Sequence, residues 1–149
     1  MNSGFLNWKN IILGTIAILT VVSGVKMMQT PSNILADVLV AEHRGSLELQ
    51  IKFNIPVRYE DHTPKNSGHI VQIKVRPVSF SDTGKNEYLG SETILPGFAA
   101  QVPITDVAYE GAVPGGPLLT LRFSKPVTFT VTEDADFSSI ILHLRRSDS

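Results

Sequence analysis

The sequence predicts an all-β domain: a β-sandwich of two related four-stranded units, preceded by an N-terminal hydrophobic helix. Three observations predict it. Apolar residues alternate with polar ones over several short segments after residue 31. No later segment carries an apolar repeat at helical spacing. An ordered set of motifs in the first half recurs in the second at an offset of 69 or 70 residues.

Residues 1–30 read as a targeting segment. Met1 to Asn10 is polar and short, with Lys9 its only charged side chain. Ile11 to Val25 is then apolar or small throughout, and Lys26 closes it. A cleaved signal peptide and an uncleaved anchor over residues 5–28 both fit this pattern. Both place residues 31–149 outside the cytoplasm, secreted in one case and held at the membrane in the other.

Pro31 to Asn33 forms a short linker, and the period-two pattern follows. Leu47, Leu49, Ile51 and Phe53 alternate with Glu48, Gln50 and Lys52. Val71, Ile73 and Val75 alternate with Gln72, Lys74 and Arg76. Each set describes a strand with one buried and one wet face. Turns are expected at Gly45-Ser46, His62 to Gly68, Pro114 to Pro117 and Glu133 to Asp136, all rich in turn-forming residues. Residues 79–100 join the halves, with a turn at Ser81 to Gly84 and a strand within Tyr88 to Ile94.

The repeat fixes the rest. Phe53-Asn54-Ile55-Pro56-Val57-Arg58-Tyr59 matches Phe123-Ser124-Lys125-Pro126-Val127-Thr128-Phe129. Asp37-Val38 matches Asp106-Val107. Val71, Ile73, Val75 and Arg76 match Ile140, Leu142, Leu144 and Arg145. The units span about 34–78 and 104–146. The Phe and Val of each F-x-x-P-V core share strand parity, so both point inward. The proline has no N–H for a ladder and marks a bend or an edge. Phe53, Tyr59, Phe123 and Phe129 are the expected shared core.

These motifs resemble the AMIN domain. The resemblance rests on the opening Ile104-Thr105-Asp106-Val107, the strand Leu119-Thr120-Leu121-Arg122-Phe123, the bend Pro126-Val127 and the closing strand Ile140 to Leu144. A less regular first copy opens at Ile34 to Val38, so the likeness covers about residues 33–146. It implies a β-sandwich of bacterial envelope proteins such as cell-wall amidases and pilus secretins. It also implies a non-catalytic role in targeting to peptidoglycan, without a cofactor.

Composition agrees with a modest, non-enzymatic surface. The 149 residues carry 13 Lys and Arg against 14 Asp and Glu, a formal charge of −1. No basic run exceeds Arg145-Arg146, so nucleic acid is not an expected partner. No cysteine is present, which excludes disulfides, thiolate metal sites and a Cys nucleophile. No G-x-S-x-G, H-E-x-x-H, P-loop or dinucleotide fingerprint occurs. Asp61, His62 and His69 flank one loop, but chance histidine pairs are common, and the acidic turn Glu133 to Asp136 reads as solvated. No metal or other cofactor is expected.

What remains is the strand exterior. Lys52, Arg76, Arg122 and Arg145 share outward parity, as does Lys74. Arg76 and Arg145 are repeat mates, and Lys52 and Arg122 approximately so. Such residues suit the peptide carboxylates of peptidoglycan through charge-assisted hydrogen bonds. They equally serve solubility and discourage edge pairing. The expected function is peptidoglycan binding that localises envelope machinery. The alternative is a protein-interaction module for pilus, secretion or division complexes.

Overall fold

A computed structural model describes residues 33–43, 46–78, 88–97 and 101–145. The targeting segment, Gly45 and the turn at Ser81 to Gly84 lie outside the described residues. Among the described residues no helix is long and apolar enough to cross a membrane.

Eight strands follow one another: β1 (Leu35–His43), β2 (Ser46–Phe53), β3 (Val57–Thr63), β4 (Ser67–Pro77), β5 (Ser91–Ile94), β6 (Ile104–Glu110), β7 (Leu118–Glu133) and β8 (Ser139–Arg145). Alternation in sequence becomes alternation in burial. Leu49, Ile51 and Phe53 of β2 are buried while Gln50 and Lys52 between them are half-buried on the other face. Val71, Ile73 and Val75 of β4 are buried, and Gln72, Lys74 and Arg76 are exposed. The turn after β3 is tighter than expected. His62 still belongs to β3, and residues 64–66 alone connect it to β4.

All strands join one antiparallel sheet in the order β1-β2-β8-β7-β4-β3, with β6 on β7 and β5 on β6. The two halves of the sequence therefore do not form separate four-stranded units. The closing strand of each half pairs with the long strand of the other: β8 with β2, and β4 with β7. The exchange joins the halves in one sheet and sets each long strand between two partners, β2 between β1 and β8, and the first part of β7 between β6 and β4.

The ladders of the halves carry corresponding partners. Leu35 stands opposite Phe53, and Ile104 opposite Phe123, each followed by a one-residue irregularity before Asp37 or Asp106. Leu49 faces Leu142 and Ile51 faces Ile140, as Leu119 faces Ile73 and Leu121 faces Val71. Tyr59 faces Val75 as Phe129 faces Leu144. The Asn54 N–H donates to the Ile34 carbonyl, and its mate Ser124 donates to Pro103.

The prolines act differently in the two halves. Pro56 separates β2 from β3, whereas β7 runs through Pro126 as a single strand of 16 residues. Its pairing with β4 jumps from Arg122, opposite Ile70, to Val127, opposite Gly68. Residues 123–126 thus bulge, which tolerates a proline that cannot donate. On its other side β7 pairs first with β6, up to Phe123, and then with β8, from Thr128.

One core cluster takes Phe53, Val57, Phe123, Val127 and Phe129 together with side chains from both halves. Tyr59 departs from expectation. It is half-buried, and its hydroxyl lies 2.6 Å from Nδ1 of His62. Tyr109 is the larger core aromatic: fully buried, its hydroxyl donating to the Tyr88 carbonyl at 2.8 Å. Burial pushes its phenol up to about 12.

Candidate functional site

Register decides which basic residues can act together. Lys52 stands opposite Asp37 on one side and Ser139 on the other, and it is half-buried. Arg145 stands opposite Thr128 on β7. Along β8, Ser139 and Arg145 lie six residues apart, about 20 Å at the usual strand rise. Arg122 stands opposite Ile70, and Arg76 lies six residues further along β4, again about 20 Å away. The four expected residues therefore do not gather into one site. Arg122 is also engaged: its guanidinium donates to Asp106 at 2.5 Å.

The β3–β4 ladder gathers a different set. Arg58 stands directly opposite Arg76. Glu60 occupies the irregularity between Tyr59 and Asp61, and its carboxylate lies 3.3 Å from Arg76 and 3.8 Å from Lys74. Arg58 instead places its guanidinium 4.5 Å from the centre of the Phe137 ring, a favourable stack for a delocalised cation.

The turn that carries Phe137 is built for this position. The Phe137 N–H donates to the Asp134 carbonyl, and the Phe137 backbone takes φ 59°. That left-handed conformation usually falls to glycine, and a bulky side chain there is strained. The conformation aims the Phe137 carbonyl at the outer edge of β3, where it accepts the Val57 N–H at 2.8 Å. The Glu133 carboxylate accepts the next edge amide, that of Tyr59, at 2.9 Å. Asp136 in the same turn accepts from the Ser138 N–H, and its hydrogen bonds with Ser138 hold its carboxyl below the usual range.

The result is a cationic face of Arg58, Lys74 and Arg76 beside an aromatic ring, with Glu60 as its internal counter-charge. The Arg58–Arg76 juxtaposition is unfavourable by itself, since like charges across a strand pair repel. An anion held between them would relieve that repulsion. Sequence reasoning missed Arg58. The signal was the repeat itself, because Arg58 takes the place that Thr128 holds in the second half.

His62 and His143 are occupied structurally. Both ring nitrogens of His62 have partners, the Tyr59 hydroxyl and the Lys65 carbonyl. The Asp61 carboxylate beside it pairs with Lys65, whose hydrogen bond lowers its pKa. His143 places Nδ1 3.2 Å from Glu48 and Nε2 2.9 Å from the Thr132 hydroxyl. Among the described residues no group of three or more His, Asp or Glu could hold a metal ion.

No protein-family model, curated protein or solved structure matches the chain.

Proposed function

We propose that the chain is a non-catalytic module of the bacterial cell envelope that binds peptidoglycan and localises envelope machinery. In this reading the strands form an AMIN-like β-sandwich, with the two runs β1-β2-β8-β7 and β5-β6-β7-β4-β3 as its layers. Residues 1–30 export the chain to the periplasm or hold it at the inner membrane. The observation that carries the binding proposal is the Arg58–Arg76 pair, with Arg58 stacked on Phe137. Two guanidiniums side by side suit the peptide carboxylates of the wall polymer, which they meet through paired, charge-assisted hydrogen bonds.

Co-sedimentation of the full-length chain with purified sacculi over a salt series tests this. Arg58→Gln with Arg76→Gln should weaken binding by about tenfold or more, since hydrogen bonds to charged groups contribute about 1.5–3 kcal/mol each. Lys52→Gln with Arg145→Gln should do far less. Phe137→Gly should relieve the strained backbone yet weaken binding by removing the ring beneath Arg58. Equal losses from the two double variants would refute the β3–β4 face as the site. Absence of binding by the parent chain would refute the peptidoglycan reading altogether.

A further inference from the structure

The two halves differ at one edge. β6 carries β5 along its outer side, with Ile94 opposite Val107, Thr93 opposite Ala108 and Glu92 opposite Tyr109. β1 is the counterpart of β6. Beyond its first residues, no described strand lies along its outer side. The exception is at its start, where the Glu92 carboxylate accepts the N–H groups of Ile34 and Leu35 at 2.6 and 2.8 Å.

The backbone of β1 is oriented to accept a neighbour. The Val38 N–H turns outward, to the carboxylate of Asp37 at 2.8 Å. Ladder groups of antiparallel strands alternate in direction from residue to residue. The N–H and carbonyl of Val40 therefore point outward as well. In the other half the Gly111 N–H donates to the Gly90 carbonyl. The same alternation turns Val107 and Tyr109, the mates of Val38 and Val40, toward β5.

Other edges are guarded. β3 is interrupted at Glu60, and its amides at Val57 and Tyr59 are taken by Phe137 and Glu133. β5 is only four residues long. On β1 only the Val38 amide is covered, by the neighbouring Asp37 carboxylate; from Leu39 to Ala41 the strand has no proline, lysine or irregularity of the kind that blunts an edge. Leu39, Val40 and Ala41 are half-buried there, and Val40 packs against the core cluster.

We propose that this edge pairs with the same edge of a second copy, β1 against β1, antiparallel about a two-fold axis at Val40. In that register each Val40 exchanges N–H and carbonyl bonds with the partner's Val40. Leu39 lies across from the partner's Ala41. The pairing is isologous, so it closes at two copies, whereas β1 against a β5 edge would propagate into a filament. The added strand stands to β1 as β5 stands to β6.

Sedimentation of the full-length chain in mild detergent, over a range of protein concentrations, is expected to show a reversible dimer. Val40→Pro removes an outward N–H and leaves the bonds to β2 in place. It should raise the dimer dissociation constant by about tenfold or more, through the lost pair of hydrogen bonds, while circular dichroism stays that of a β protein. The chain has no cysteine, so Val40→Cys gives a second readout: a short thiol-to-thiol cross-linker should yield covalent dimer, and a Ser91→Cys control on β5 should not. Should Val40→Pro fail to fold, the cysteine pair decides alone. A chain that stays monomeric at every concentration overturns the proposal. So does a folded Val40→Pro that dimerises like the parent, or equal cross-linking at positions 40 and 91.

Discussion

Asp106 stands opposite Arg122 across β6 and β7 and accepts its guanidinium at 2.5 Å. The corresponding Asp37 stands opposite Lys52, but its carboxylate accepts the N–H of Val38 instead. One position in the repeat thus serves two purposes. In the second half it neutralises an outward cation, and in the first it covers an amide at an edge. The difference follows from β5, which pairs with β6 and leaves no such amide to cover.

Gly111 lies against the residues that precede β5. A side-chain carbon there would fall 1.7 Å from the carbonyl oxygen of Tyr88, an overlap with backbone that no side-chain adjustment relieves. Gly111→Ala should therefore destabilise the fold by at least about 1–3 kcal/mol, as overpacking does. Thermal unfolding followed by circular dichroism measures it. An unchanged melting temperature would mean that this approach of backbones is not kept in solution.

Phe53 and Phe123 are both buried, each at the start of its F-x-x-P-V motif. Truncating either to alanine should cost about 3–5 kcal/mol, the usual range for a buried aromatic. Their distinct neighbours, Leu35 for one and Ile104 for the other, allow the two effects to be compared by urea unfolding. Both variants melting with the parent would exclude a core shared by the halves.

Thr120 offers a substitution expected to be neutral or stabilising. It is buried, and its hydroxyl has no hydrogen-bond partner among the described residues. Thr120→Val keeps the shape and removes an unpaired polar atom, so stability should hold or rise by about 1 kcal/mol. A clear loss in urea unfolding would show that the hydroxyl is satisfied in solution.

Tyr109 makes alkaline stability predictable. Its phenol is raised from 10.0 to about 12, chiefly by burial. The unfolded chain releases this proton above pH 10 while the folded chain retains it. Stability is therefore fully present below pH 10 and falls between pH 10 and 12, by up to ~1.4 kcal/mol per pH unit from this one group. Tyr109→Phe should flatten that part of the stability profile.

Strand identity was legible because burial imposes a period of two on any sheet with one wet face. The same logic read Phe53 and Phe123 correctly but overestimated Tyr59. Parity gives the direction of a side chain, not the depth of what covers it, and Tyr59 lies on the edge strand β3, with its hydroxyl at His62. Tyr109 was overlooked because its strand, Ile104–Glu110, alternates poorly: Val107, Ala108 and Tyr109 are all buried in succession.

The basic residues show the same boundary. Sequence placed Lys52, Arg76, Arg122 and Arg145 on outward faces, which local parity can do. It had no means of knowing that the first and last are separated along one ladder, that Arg122 meets Asp106, or that Arg58 meets Arg76. Those facts depend on strand order and register.

By itself the sequence determined the all-β class, the position of most strands, the inward face of each long strand and the correspondence between Phe53-to-Tyr59 and Phe123-to-Phe129. All of these follow from neighbours within a few residues. The tertiary structure alone decided that β8 lies on β2 and β4 on β7, that β5 covers β6 while no described strand covers β1 beyond its start, and that Phe137 sits beneath Arg58. Those choices join residues such as Arg58 and Phe137, 79 positions apart. Long-range pairing is selected by the joint burial of whole strand faces, a quantity that no local stretch of sequence contains.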